Sequence, residues 1–204
     1  MDTGPGILHA VNETIYVCDL SDVSQEEKNS MIGPPIDRSF ARIWSLPEEK
    51  AQEAAAKFRM LYAEKYLLEA TPYPGVLTLL NGLRAAGWKV GVATYKRNDY
   101  AQRVMKETGI TDACDFVLGS DGEKQTKADI IRICLHELKE TAGHAIMVGD
   151  TLHDLKGAQD VGLLFLGVSY GYGFKTKDEI LKNGAKYAAA SAEEVGNVLM
   201  RLQA

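Results

Sequence analysis

Two aspartates four residues apart follow a short apolar run in Ala145-Ile-Met-Val-Gly-Asp-Thr-Leu-His-Asp154. Asp150 is placed at the end of a predicted strand and Asp154 on the first helical turn beyond it. In an open parallel α/β sheet, ligands bind outside the carboxyl ends of the strands. A pair of hard oxygen donors there suits Mg2+, which takes one or two carboxylates together with water and substrate phosphate. Taken alone, Asp150 serves equally well as an N-cap for the next helix. Lys127 opens another predicted helix, where the positive end of the dipole disfavours a cation. It gains a reason if it neutralises a bound phosphate and the carboxylates beside it. Thr94 follows the apolar run Lys89-Val-Gly-Val-Ala93 and offers a hydroxyl, with backbone amides after it, to an anion. Taken singly, Thr94 reads as an ordinary strand-end residue and Lys127 as a solvated surface lysine, but hydroxyl, lysine and paired acids in this order are much less expected by chance.

These side chains need a scaffold that brings strand ends together, and the pattern from residue 71 onward predicts one. Thr71-Pro-Tyr-Pro-Gly75 is a break rich in proline and glycine. After it, strands are predicted at 89–94, 116–118, 145–148, 163–168 and 186–189. Helices are predicted at 76–86, 100–108, 127–138, 153–161 and 192–202, with a polar loop at 119–126 and a Gly-rich loop at 169–173. Alternating strands and helices imply a parallel sheet covered by helices. Before the break the rhythm is helical. Ile7, Leu8, Val11 and Ile15 recur at three- and four-residue steps, and a long helix is predicted from Pro47 to about residue 68. The segment 19–28 is polar and turn-rich, and Met31-Ile-Gly-Pro-Pro-Ile36 is a rigid corner. The expected organisation is α/β: a small all-helical domain over 4–70 and a parallel core over 71–204.

The bulk composition excludes several classes. The 204 residues carry a formal net charge of −5, which argues against nucleic acid or an acidic membrane as the main partner. Apolar runs are too short to span a bilayer, and a cytoplasmic location is expected. Cys18, Cys114 and Cys134 have no metal-ligand spacing and are expected as free thiols.

With these residues in view, the sequence resembles the haloacid dehalogenase-like hydrolases, in particular their phosphoglycolate phosphatase-like branch with a helical cap. Thr94 matches the second motif of that family and Lys127, in Thr-Lys-Ala-Asp-Ile-Ile, the third. Gly149-Asp-Thr-Leu-His-Asp154 matches the fourth, GDxxxD, with Gly157, Ala158 and Gly162 as its continuation. Tyr170-Gly-Tyr-Gly173, Asp2-Thr-Gly-Pro-Gly-Ile7 and Ile32-Gly-Pro-Pro35 resemble pieces of the same branch. The resemblance implies a Rossmann-like core with a helical cap, and a Mg2+-dependent phosphatase acting on a small phosphorylated metabolite by aspartyl-phosphate chemistry. Thr94 and Lys127 are then catalytic, Tyr95 and Lys96 join them in binding substrate, and Asp150 and Asp154 hold the metal. Closure of the cap, hinged near residues 2–4 and 71–75, would exclude water. Phosphoglycolate, pyrophosphate and nucleoside monophosphates all remain open as substrates. Dehalogenation is less expected, because the metal-site acids are present. In the cap, Arg38, Arg42 and Tyr66 are candidates for contact with the leaving group, and next to Thr94 both Lys96 and Arg97 can face an anion. His153 is expected as a surface or supporting residue rather than a metal ligand, and Trp44 and Trp88 as core.

One family feature is missing. The first motif, an apolar strand followed by Asp-x-Asp-Gly-Thr, carries the nucleophile and the general acid, and it does not occur in these residues. The leading expectation is that the natural protein extends upstream of Met1. The alternatives are a catalytically inactive relative that binds phosphate or metal without turnover, or replacement of the motif by Ile15-Tyr-Val-Cys-Asp-Leu-Ser-Asp22. In that last stretch Ser21 stands where the second aspartate is needed, so Asp19 is read as a helix-end residue instead. Oligomeric state is not legible.

Overall fold

The computed structural model describes residues 1–121 and 125–203. They form two compact units, one of Asp2–Thr71 and the other of Met1 with Pro72–Ala204.

The first unit is helical. Helix α1 (Gly4–Val17) buries Val11 and Ile15 of the predicted stripe together with Ala10 and Thr14, while Ile7 and Leu8 are half-buried. It ends through Asp19, whose φ of 51° is left-handed, with Leu20 N donating to Ile15 O and Asp19 N to Tyr16 O. That is a Schellman closure. Ile15 to Val17 are therefore helical, which corrects the alternative that this stretch supplies a replacement strand and nucleophile. The turn-rich reading of 19–28 is also corrected: α2 (Gln25–Asn29) starts in that segment, because Ser24 and Glu27 form a reciprocal capping box. Helix α3 (Ile36–Trp44) follows the proline corner and packs on α4 (Glu48–Leu61). The long helix predicted to residue 68 stops being α-helical at Leu61 and continues as a π-turn over Tyr62–Tyr66. Gly6 of α1 lies against this turn so closely that a Cβ there would be 2.3 Å from Tyr66 O. The first and last residues of the unit, Asp2 and Thr71, exchange backbone hydrogen bonds of 2.8 and 2.9 Å.

The second unit is α/β. In chain order it comprises α5 (Val76–Ala85), β1 (Gly91–Arg97), α6 (Asn98–Glu107), β2 (Phe116–Ser120), α7 (Lys127–Leu138), β3 (Ile146–Gly149), α8 (Leu152–Val161), β4 (Leu164–Val168), α9 (Lys177–Lys182), β5 (Tyr187–Ala189) and α10 (Ala192–Gln203). Strands β1 and β2 pair in parallel, and β3, β4 and β5 pair in parallel in that order. β1 extends past Thr94, where the sequence ends it, through an irregularity between Ala93 and Arg97. Short α9 was not predicted; Thr176 caps it by accepting from Glu179 N. The 119–126 loop falls partly outside the described residues.

Strand β4 separates two cores by alternation. Leu166 and Val168 face Leu83, Val195 and Leu199, from α5 and α10. Phe165 faces Leu155 and Ala158 of α8 and Ile180 of α9. Each of the buried Leu, Ile, Val and Phe side chains here contributes about 1.5–3 kcal/mol. Trp88 borders the first core, while Trp44 in the helical unit is half-buried and donates Nε1–H to Ser21 O at 2.8 Å. The cysteines are free thiols, and burial pushes Cys114 and Cys134 up to about 11. No helix among the described residues is long and apolar enough to cross a membrane.

Candidate active site

Lys127 is the first residue of α7 and its side chain is only 9% exposed. A buried ammonium requires acceptors, and two are in place. Lys127 Nζ lies 2.7 Å from Asp154 Oδ1 and donates to Ala93 O at 2.8 Å. The Tyr95 ring also lies beneath the ammonium, its centroid 5.5 Å away, and the Tyr95 hydroxyl accepts from Lys127 N at 2.7 Å. Gly157 makes room for this side chain, since a Cβ there would be 2.6 Å from Lys127 Cγ. The residue after Ala93 is Thr94, whose Oγ1 accepts from Lys96 N at 3.1 Å. Thr94, Tyr95, Lys127 and Asp154 thus meet in one place.

Asp154 is the N3 residue of α8, and Thr151 is its N-cap. Thr151 Oγ1 accepts from Asp154 N at 3.2 Å, and Asp154 Oδ2 accepts from Thr151 N and Oγ1 at 3.1 and 2.7 Å. Asp154 therefore has one oxygen on the lysine and the other on the cap. Gly149 fits beneath it, because a Cβ there would be 2.5 Å from Asp154 Cβ.

Asp150 precedes the cap, which corrects the alternative of Asp150 as the N-cap. Its Oδ2 accepts from the backbone amides of Tyr172 and Gly173 at 2.8 and 3.2 Å, and its carbonyl accepts from Phe174 N at 2.8 Å. The loop after β4 is wrapped around this one residue. A Cβ on Gly171 would be 2.2 Å from Asp150 Oδ2, and one on Gly173 2.2 Å from Asp150 O. No ion pair among the described residues involves Asp150. Its negative charge instead helps raise the Tyr170 phenol, after the larger effect of burial. A carboxylate fixed by amides and left without a cationic side chain is a fitting donor for a divalent cation. Among the described residues there is no cluster of three acids, histidines or cysteines that would hold a metal alone. Gly171→Ala should therefore dislodge Asp150 and lower stability by about 1–3 kcal/mol. A thermal melt unchanged from the parent would show that the loop does not hold the carboxylate.

Lys96 is half-buried, and burial alone pulls it from 10.5 to about 8. A depressed lysine costs stability while it is charged in both states, below the folded value. That cost is relieved as pH rises from about 8 to 10.5, where the unfolded chain binds more protons. The stability gained in Lys96→Met should shrink over that interval; urea melts at pH 7 and pH 10 measure it, and a gain equal at both would refute the burial effect.

The remaining candidates have partners of their own. Arg97 pairs with Asp99 on the surface, and its guanidinium covers the Tyr100 ring. His153 meets the Tyr95 ring edge-on at 5.9 Å. In the helical unit, Glu13 accepts from Tyr66 Oη and pairs with Lys65, while Arg42 donates to Ser30 Oγ at 2.7 Å. Sequence reasoning missed Thr151 as a site residue and the two amides on Asp150. The first had a signal, the Thr-x-x-Asp capping pattern. The amides had none, because a backbone donor is invisible in a residue name.

Comparison with known proteins shows the family of the chain. Residues 1–168 match the model of the family described as haloacid dehalogenase-like hydrolase. A phosphoglycolate phosphatase of Rhodospirillum rubrum is 32% identical over 179 residues, covering 82% of this chain and 74% of its own length. A 5'-nucleotidase of Pseudomonas aeruginosa is 28% identical over 200 residues, covering 97% of this chain and 90% of its own. The solved structure of a hydrolase, the haloacid dehalogenase-like family protein SP0104 of Streptococcus pneumoniae, superposes with a TM-score of 0.88 at 28% identity, over 97% of this chain and 92% of its own. The chain belongs to the haloacid dehalogenase-like hydrolase family.

Proposed function

We propose that this chain carries the phosphate- and metal-binding part of a Mg2+-dependent phosphatase for a small phosphorylated metabolite. The observation that carries the reading is the buried Lys127–Asp154 pair, anchored on the residue before Thr94. On this reading the Lys127 cation and the Thr94 hydroxyl act together with Asp150, which has no cationic partner among the described residues. Asp150, with Asp154 beside it, would hold Mg2+. The metal would supply charge neutralisation at the phosphoryl oxygens. The chain's own part is positional. Thr94 Oγ1 would donate to a phosphoryl oxygen, and Lys127 Nζ would offset its charge. Two of the relatives above are named for phosphatase activity on small phosphoesters, which supports the substrate class.

A second reading is favoured by one observation. The Asp-x-Asp-Gly-Thr stretch that supplies the nucleophile in this family does not occur in residues 1–204. On that reading the chain binds phosphate and Mg2+ without turnover. Phosphate release from phosphoglycolate, pyrophosphate and nucleoside monophosphates, with Mg2+ and with EDTA, separates the two. EDTA-sensitive release supports the phosphatase. Tight Mg2+ and phosphate binding with no release from any form of the protein supports the second reading.

A further inference from the structure

Tyr95 stands on a distortion of β1. Ala93 pairs with Leu118 and Arg97 with Ser120, so β1 takes four steps where β2 takes two. Bulges of this kind re-aim side chains beside active sites. Gly119 of β2 leaves room for it, since a Cβ there would be 2.4 Å from Lys96 O and 2.5 Å from Asn98 Cα. Gly119 N also donates to Asn98 Oδ1 at 2.9 Å, which ties β2 to the residue just past the bulge. From this bulge Tyr95 reaches Lys127 at both ends. Its hydroxyl accepts from Lys127 N at 2.7 Å, and its ring centroid lies 5.5 Å from Lys127 Nζ. His153, on the first turn of α8, meets the same ring edge-on. At the start of α7, Thr126 and Asp129 already accept from each other's amides, and Tyr95 takes the amide of Lys127. The ammonium has three protons to donate. Among the described residues Asp154 Oδ1 and Ala93 O take two of them, which leaves one for a ligand. A cation within about 6 Å of an aromatic face is attracted to it, so the ring limits where that last donor can swing.

We propose that Tyr95 is a positioning residue for Lys127. Its hydroxyl fixes the backbone of the lysine and its ring holds the ammonium, so that the remaining donor stays aimed at a phosphoryl group that Tyr95 itself does not touch. The clamp stands on the contacts above, while its consequence for phosphate rests on the function proposed above. The two ends of the clamp have different effects. Loss of the hydroxyl leaves the amide of a buried residue without its partner and costs stability. Loss of the ring frees the ammonium and lets water reach it, where its charge acts on an anion through a higher dielectric. Stability should therefore follow the hydroxyl, and phosphate affinity the ring.

Tyr95→Phe and Tyr95→Leu separate the two ends. Three readings are taken on each variant and on the parent: a thermal melt, calorimetric titration of inorganic phosphate in Mg2+, and the NMR signal of the Lys127 ε-methylene, which a ring face beneath it shifts upfield. Both variants should melt below the parent. Tyr95→Phe should weaken phosphate binding by about threefold, and Tyr95→Leu by at least about tenfold. The upfield Lys127 signal should be present in the parent, kept in Tyr95→Phe and lost in Tyr95→Leu. If Tyr95→Leu does not fold, Tyr95→Met, which also lacks an aromatic face, takes its place with the same expected results. Phosphate affinity in Tyr95→Leu equal to that of the parent overturns the proposal. An equal loss of affinity in both variants also overturns it, by making Tyr95 either a direct phosphate contact or a purely structural residue. A parent without the upfield signal overturns it as well. A parent that shows the signal but binds no phosphate refutes the phosphatase and leaves the clamp standing. Phosphate binding that is the same in the parent and both variants does the reverse.

Discussion

Lys127→Ala is expected to lower the unfolding free energy by about 3–5 kcal/mol, because it strands the buried Asp154 carboxylate. The ammonium has two buried partners, Asp154 Oδ1 and Ala93 O, and the substitution leaves both without it. For a chain of this size the melting temperature should fall by on the order of 10 °C. Lys127→Met combined with Asp154→Leu removes both charges and should recover much of that loss, since replacing a buried pair by apolar groups is often neutral. Calorimetry of the single and double variants checks it. A single variant within about 0.5 kcal/mol of the parent, the range of ordinary surface substitutions, would show that the pair is not buried as described. Activity should be lost in both variants, so stability and catalysis separate in the double variant.

Asp150→Asn should weaken Mg2+ binding by at least about tenfold, a cost of roughly 1.4 kcal/mol. The asparagine still offers an oxygen to the amides of Tyr172 and Gly173, so the loop after β4 should keep its place. What is removed is the charge. The Tyr170 phenol reports this separately: it should titrate lower in the variant, because one of the two causes that raise it is gone. Isothermal titration with Mg2+ and a spectrophotometric titration of tyrosine provide the two readings. Unchanged Mg2+ affinity together with a lowered Tyr170 would place the metal elsewhere.

Much of this site was legible in residue types and spacing. The GDxxxD stretch, the helix-opening Lys127 and the strand-borne Thr94 identified three chain segments, and the structure brings Lys127 and Asp154 into contact beside the residue that precedes Thr94. The helix of Lys127 has the predicted bounds because Thr126 and Asp129 cap it reciprocally, a local signal. What sequence could not carry is of two kinds. The amides on Asp150 come from a loop more than twenty residues away, and only the glycines at 171 and 173 hinted at a close approach. The π-turn at Tyr62–Tyr66 keeps helical spacing, so periodicity read it as continued α-helix. Short α2 and α9 were missed because their caps, Ser24 and Thr176, sit in polar stretches that also read as turns.

The central claim is that Thr94, Lys127, Asp150 and Asp154 form one site for a phosphate and a divalent cation. Calorimetric titration of the 204-residue chain with inorganic phosphate, with Mg2+ and with EDTA, tests it without requiring turnover. The account predicts phosphate binding that strengthens at least about tenfold with Mg2+, and that falls in Thr94→Val and in Asp150→Asn. Phosphate binding that ignores both Mg2+ and these substitutions would contradict it.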